Sequence, residues 1–188
     1  MFFEKRMTEI VHALLEQYVH DGDVAVDATM GNGYDTLKLC QLVGDNGKVF
    51  AFDIQPVALE KTAMLLEANG LKDRASLMLK SHAEMAVDVR MPIAAFVFNL
   101  GYLPEGDHRV TTLPESTLTG IEAGLKLLKS GGLGIVVAYY GHDGGLDELQ
   151  QVDLLLKSLG AKEYDVLKLE NHNRRSTPPI LYMIKRRG

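Results

Sequence analysis

The 188 residues carry a net charge of −5, and hydrophobic residues make up 46% of the chain. These values are ordinary for a globular protein and exclude a general attraction to nucleic acid, so any RNA contact needs a local basic patch. A single cysteine, Cys40, excludes an internal disulfide and a cysteine metal cluster. The N-terminus is too charged for a signal peptide, and no apolar run reaches the roughly 20 residues of a membrane span. We therefore expect one cytoplasmic domain, residues 1–188, without membrane contact.

Apolar periodicity predicts alternating helices and strands, beginning with an amphipathic helix over about residues 7–15. The predicted elements that follow are a strand at 23–28, a helix at 34–43, a strand at 47–53, a helix at 56–69, strands at 75–80 and 93–99, a helix opened by a capping box at 112–115 and broken by Gly131-Gly132, a strand at 134–140, a helix around 149–159, and strands at 164–169 and 180–184. This order predicts an α/β fold: a doubly wound, seven-stranded, mostly parallel sheet with a C-terminal antiparallel hairpin.

The first two predicted strands end in a pattern typical of nucleotide binding. The first runs into Asp27-Ala28-Thr29-Met30-Gly31-Asn32-Gly33, and the second ends at Asp53, 20 residues after Gly33. In such units the glycines let the backbone approach the ligand, and the acid binds the ribose hydroxyls. The pattern predicts an adenosine-containing cofactor; the alternative is a tight strand-to-helix turn without a ligand.

Polar residues near these turns are candidate cofactor ligands. Asn32, Asp35 and Thr36 could bind an amino or carboxylate group, or could cap the following helix. Gln55 could assist at the ribose, and His82 follows the third strand, where this fold usually contacts adenine; otherwise Gln55 caps a helix and His82 faces water. The expected cofactor-binding residues are Asp27, Thr29, Gly31, Asn32, Gly33, Asp35, Thr36, Asp53, Gln55, Ser81, His82 and Asn99.

The fourth strand ends in Asn99-Leu100-Gly101-Tyr102. This sequence resembles the (Asp/Asn)-Pro-Pro-(Tyr/Phe) motif of methyltransferases that act on amino nitrogen, although both prolines are absent. In that motif the Asn carbonyl and the next backbone carbonyl accept N–H bonds from the amine, and the aromatic ring holds the base. Asn99 and Tyr102 are therefore the candidate catalytic residues; alternatively, Asn99 is a polar strand cap.

Three later segments are candidate substrate contacts. The polar loop at 104–113 could cover the substrate or lie on the surface, and the 139–145 turn could stack a tyrosine on a base or pack it in the core. From Lys168 to Gly188 there are six basic residues and one acidic residue, which suits either a phosphate-binding face or a solvated tail. No histidine pair has metal-ligand spacing, so we expect no metal. The expected substrate or RNA contacts are His108, Arg109, Tyr139, His142, Arg174 and Arg175.

The terminal hairpin and the first motif together resemble the class I S-adenosylmethionine (SAM)-dependent methyltransferases, although Thr29 replaces the first glycine of their signature. More specifically, residues 27–36, 98–104 and 171–179 resemble a bacterial family once labelled rRNA methylase and now associated with tRNA wobble-uridine modification. The resemblance implies methyl transfer from SAM to the amine of 5-aminomethyl-2-thiouridine in the anticodon loop of tRNA. It also implies a cytoplasmic enzyme, with a homodimer as one option.

Such an amine is mostly protonated near neutral pH and must lose a proton before it attacks. Asp107, His108 and His142 are candidate acceptors. Other functions stay open on the residues alone. One alternative is a methyltransferase that acts on another RNA base or on a small-molecule amine. In the small-molecule case, Arg174 and Arg175 would not affect turnover. An NAD-dependent oxidoreductase would use Asp53 but not the hairpin or the Asn99 motif. A noncatalytic module would bind tRNA without transferring methyl.

Overall fold

The computed structural model describes residues 5–101, 103, 111–174 and 176–188. Its strands are β1 (Val24–Asp27), β2 (Lys48–Asp53), β3 (Ala75–Leu79), β4 (Ile93–Leu100), β5 (Leu128–Ala138), β6 (Tyr164–Leu169) and β7 (Ile180–Arg186). Its α-helices are α1 (Met7–Tyr18), α2 (Tyr34–Val43), α3 (Pro56–Ala68), α4 (Met85–Asp88), α5 (Pro114–Leu127) and α6 (Gly145–Ser158). Short 3-10 turns lie at Lys72–Arg74 and His82–Glu84.

All seven strands form one sheet in the order β3-β2-β1-β4-β5-β7-β6. Strands β1 to β5 are parallel, whereas β7 runs antiparallel to both β5 and β6. The chain winds outward from β1 to β3 and then returns to the other side of β1 at β4. Ligands of open α/β sheets bind where the strand order reverses in this way. The predicted doubly wound sheet and terminal antiparallel hairpin are confirmed.

Strand β4 is buried on both faces, which explains its uninterrupted apolar sequence. Phe96 and Phe98 point toward α5 and α6, and Ala95 and Val97 point toward α1 and α2; each of the four is fully buried. Burying a side chain such as phenylalanine or valine contributes about 1.5–3 kcal/mol, so the two apolar layers hold β1 and β4 firmly beside each other. Among the described helices, none is long and apolar enough to cross a membrane.

The helix after β4 begins within the predicted segment, but its predicted capping box and its predicted end were wrong. At the start, no capping box forms, because the Thr112 hydroxyl donates to the carboxylate of Glu148 at 2.6 Å and accepts from the backbone N–H of Gly101 at 3.0 Å. At the end, the helix stops at Leu127, before the two glycines. Leu128 already pairs with Ile93 in the sheet, and residues 129–132 then bulge out before pairing resumes at Leu133. The glycines therefore lie inside an irregular β5 and do not end the helix.

Candidate active site

A cavity of about 750 Å³ opens at the carboxyl ends of β1, β2, β4 and β5. Its volume lies within the usual range for small-molecule and cofactor sites. Thr8 of α1, Ser116 of α5 and Thr177 of the β6–β7 loop complete its walls. The predicted site residues that line it are Thr29, Gly31, Asn32, Gly33, Asp35, Asp53, Gln55, Ser81, His82, Asn99, Tyr139 and His142. The structure thus brings most of the expected residues to one place.

The glycine turn and Asp53 form one hydrogen-bonded unit. The backbone N–H of Gly31 donates to Asp53 Oδ2 at 3.0 Å, and the N–H of Gln55 donates to Oδ1 at 2.9 Å. Burial raises the pKa of Asp53, while these bonds stabilise its charged form. Gly33 has φ +83°, and a Cβ there would lie 2.8 Å from Thr62 Oγ1, so the turn needs glycine. The result is a fixed carboxylate at the edge of the cavity, as binding of a ribose diol requires.

Two predicted cofactor ligands lie behind the cavity wall. Asp27 and Thr36 are both fully buried, and neither lines the cavity. The Thr36 hydroxyl donates to Asp27 Oδ2 at 2.6 Å, and the Thr29 N–H donates to Oδ1 at 3.2 Å. Burial and the charge of Asp35 raise the pKa of Asp27. We therefore correct the expected direct contacts: Asp27 and Thr36 hold the turn from beneath.

The alternative assignment of these polar residues as helix caps is wrong for α2. Its N-cap is Gly33, and no side chain caps the helix there. Asn32 instead accepts from the Lys61 ammonium at 3.4 Å, and Asp35 accepts from other side chains. The polar side chains of this turn therefore line the cavity and hydrogen-bond to neighbouring side chains.

Asn99 is held at both its backbone and its side chain. Its N–H donates to Thr29 Oγ1 at 2.7 Å, and its Nδ2 donates to Asp35 Oδ2, also at 2.7 Å. The other oxygen of Asp35 is 2.7 Å from Nε2 of His12, a residue of α1 that sequence reasoning missed. Thr8, which lines the cavity, is four residues from His12, so both residues lie on the same face of α1. These bonds leave Asn99 Oδ1 as the amide atom that can accept from a ligand.

The second acceptor expected from the Asn99 motif is already engaged. The Leu100 carbonyl accepts the backbone N–H of Tyr139 at 3.0 Å, and the Gly101 carbonyl accepts that of Thr112 at 2.9 Å. Both bonds tie the end of β4 to neighbouring segments. With the Leu100 carbonyl engaged in this way, Asn99 Oδ1 is the acceptor of the motif that is left for a ligand.

His82 is buried, with 9% of its surface exposed, so the alternative of a water-facing histidine is wrong. Its Nδ1 lies 3.2 Å from the Ala28 carbonyl, and its ring meets the Phe98 ring edge-on at 5.1 Å. Burial lowers the pKa of His82 to about 4, so the ring is neutral at pH 7. Because a carbonyl only accepts, Nδ1 carries the proton. Nε2 is left as a buried acceptor without a partner among the described residues, which suits an amino group of a ligand.

Tyr139 and His142 form the β5 side of the cavity. Burial raises the pKa of the Tyr139 phenol, and the charge of Asp35 adds to this effect. His142 Nδ1 donates to the Asp143 carbonyl at 2.9 Å. Arg174 is exposed and does not line the cavity, although Thr177 of the same loop does. The other predicted contacts, Tyr102, Asp107, His108, Arg109 and Arg175, lie outside the described residues.

Comparisons with known proteins identify the family of this chain. A family model described as "Putative rRNA methylase" matches residues 49–185. The chain is 37% identical over 196 residues to the chloroplastic tRNA (mnm(5)s(2)U34)-methyltransferase of Arabidopsis thaliana, with 99% of this chain and 72% of the relative covered. The chain belongs to this methylase family.

Two solved structures are similar over almost their whole length. One is a "putative rRNA-methylase" from Clostridium thermocellum, at 41% identity and a TM-score of 0.94, with 97% of this chain and 98% of that chain covered. The other is a "putative methyltransferase" from Streptococcus mutans in complex with SAH, at 39% identity and a TM-score of 0.88, with the same coverage. Together with the site, these similarities show that the protein is a SAM-dependent methyltransferase. Three features fit that cofactor: the Asp53 carboxylate, the glycine turn, and His82 Nε2, which has no partner among the described residues.

Proposed function

We propose that this methyltransferase converts 5-aminomethyl-(2-thio)uridine at the wobble position of tRNA to the 5-methylaminomethyl form. The observation that carries the proposal is the orientation of the Asn99 amide. Its Nδ2 is committed to Asp35, so it presents Oδ1 as an acceptor beside the cofactor cavity. An amide oxygen can accept from an N–H of an amine, as the proposed substrate requires. The Arabidopsis relative, which is named for the mnm5s2U34 reaction, supports this substrate.

The cofactor would be held on the β1–β2 side of the cavity. Asp53 would accept both ribose hydroxyls, Gly31 and Gly33 would let the backbone lie against the cofactor, and His82 Nε2 would accept from an amino group. Bound SAM supplies a methyl group on a sulfonium, whose sulfur is already a good leaving group. The protein therefore has mainly to position the acceptor nitrogen.

The substrate would enter from the β4–β5 side. The anticodon loop is single-stranded, so the wobble base can be splayed into the cavity at modest cost. Asn99 Oδ1 would accept an N–H of the aminomethyl group and so direct the nitrogen lone pair, while the Tyr139 ring would stack on the base. The exposed Arg174, on the loop that also brings Thr177 to the cavity, would bind phosphate outside it.

The test is methyl transfer from labelled SAM to bulk tRNA of a bacterium that lacks this gene, followed by nucleoside analysis. We expect label in 5-methylaminomethyl-uridines. Absence of label, with SAM binding shown by calorimetry, would refute the tRNA assignment and favour a small-molecule amine or a noncatalytic RNA-binding module.

A matched pair of variants tests the role of Asn99. Asn99→Ala should lower kcat by roughly 100-fold while SAM affinity changes little, because a misplaced nucleophile loses most of the orientation effect. Asn69→Ala, which alters an exposed asparagine at the end of α3, should behave as wild type. Full turnover by Asn99→Ala would show that another group directs the amine.

A further inference from the structure

A chain of side-chain hydrogen bonds leads from the N-terminal helix to Asn99. His12 of α1 is 2.7 Å from Asp35 Oδ1, and Asp35 Oδ2 is 2.7 Å from Asn99 Nδ2. Only 26% of the His12 side chain and 11% of the Asp35 side chain are exposed, so water competes weakly for these bonds. The three residues lie on three different elements, α1, α2 and β4. Their meeting is therefore a product of the tertiary fold.

The direction of each bond follows from what the groups can donate. A carboxylate only accepts, so both His12 Nε2 and Asn99 Nδ2 must carry the hydrogens in this chain. If the Asn99 amide group were flipped, its Oδ1 would face an oxygen of Asp35, and these two acceptor atoms would repel each other. Asp35 therefore determines which end of the Asn99 amide faces the substrate.

His12 in turn holds the Asp35 carboxylate in place from α1. Asp35 has the buried carboxyl of Asp27 behind it and the phenol of Tyr139 beside it, and its charge raises the pKa of both groups. The N–H of His12, a residue that is not part of this cluster of acidic groups, donates to Asp35 Oδ1. Without this bond, Asp35 would keep only its bond to Asn99 among the described side-chain hydrogen bonds, and the carboxylate that orients the amide would be held less firmly.

We propose that His12 is a positioning residue for methyl transfer, acting through Asp35 to keep Asn99 Oδ1 directed at the acceptor nitrogen. The inference rests on the proposed function in that it assumes a nitrogen acceptor. The proposal gives α1 a role in the site, whereas the sequence motifs that point to the site all follow β-strands. His12 itself need touch neither the cofactor nor the substrate.

The test compares His12→Ala with His12→Gln, whose Nε2 stands the same number of bonds from Cα and can still donate to Asp35. Gln17→Ala, on an exposed face of α1, is the matched control. The first readout is the Asn99 side-chain amide signal in ¹H–¹⁵N spectra of the full-length protein, assigned with Asn99→Asp. The second is kcat at saturating SAM and tRNA, with the SAM Kd measured separately.

In His12→Ala we expect the Asn99 amide proton that bonds to Asp35 to move upfield, and kcat to fall roughly 10- to 100-fold with little change in SAM Kd. His12→Gln should recover most of both signals, and Gln17→Ala should match wild type. An unchanged Asn99 amide signal in His12→Ala would overturn the inference, as would a shifted signal with unchanged kcat. If wild-type protein transfers no methyl to tRNA, the proposed function fails, and the amide signal still decides whether His12 positions Asn99.

Discussion

The buried His82 should make the protein acid-sensitive in a measurable way. Burial lowers its pKa from 6.5 to about 4, so the unfolded chain takes up a proton between these values and the folded protein does not. Where the unfolded state binds more protons, stability rises with pH, and it is therefore lost as the pH falls below about 6.5. The two pKa values give a loss of about 2 kcal/mol between pH 7 and pH 5 and about 3 kcal/mol by pH 4.

The assay is urea unfolding of wild type and His82→Asn at several pH values from 7 to 4. Asparagine does not titrate, and its Nδ2 can donate to the Ala28 carbonyl as His82 Nδ1 does. Subtracting the two free energies of unfolding cancels the other titrating groups and leaves the His82 contribution. A wild-type-minus-variant difference that stays constant from pH 7 to pH 5 would refute the reasoning.

Three further predictions concern the turn, the sheet and the thiol. Gly33→Ala should cost about 1–3 kcal/mol and weaken SAM binding in calorimetry, because φ is positive and the new Cβ would meet Thr62; unchanged SAM affinity would count against it. Gly134→Ala should lower the melting temperature by several degrees, since its Cβ would overlap a ring carbon of the buried Phe96; an unshifted melting curve would contradict this. Burial raises the pKa of the Cys40 thiol to about 11, so a disulfide reagent at pH 8 should label the folded protein at least about 100-fold more slowly than the urea-unfolded chain; equal labelling rates would show that the thiol is accessible.

Most of the fold could be predicted because the sheet is covered on both faces. A central parallel strand such as β4 is apolar throughout, and the helices around it repeat their apolar residues with helical spacing, so each element is visible locally. The exceptions have tertiary causes. Leu128 leaves the helix to pair with Ile93, and this pairing outweighs the local signal of the glycines that follow. The short helical segment at 82–88 is too brief to show any periodicity.

The candidate site was predictable for a different reason. The carboxyl ends of parallel strands converge, so residues that end β1, β2 and β4 must meet at one edge of the sheet. That rule brings Asp53 and Asn99 to the cavity, but it does not say which side chains turn inward. Asp27 and Thr36 satisfy each other beneath the turn, and the His12–Asp35 bond joins two helices whose relative rotation is fixed only by packing.

The acidic residues at this edge of the sheet lower the stability of the fold, so their presence needs an explanation other than stability. Asp27, Asp35 and Asp53 converge near the glycine turn, and burial raises the pKa of both Asp27 and Asp53. A carboxyl whose pKa is higher in the folded than in the unfolded state destabilises the fold as the pH rises toward neutrality. The protein offsets part of this cost with fixed donors, from Thr36 and Thr29 to Asp27 and from backbone N–H groups to Asp53. Such a cluster suits a cationic sulfonium cofactor, because neighbouring negative charge favours a positive ligand. The same charge would repel the phosphates of an RNA, so under the proposed function the phosphates would have to be bound by basic residues outside the cavity.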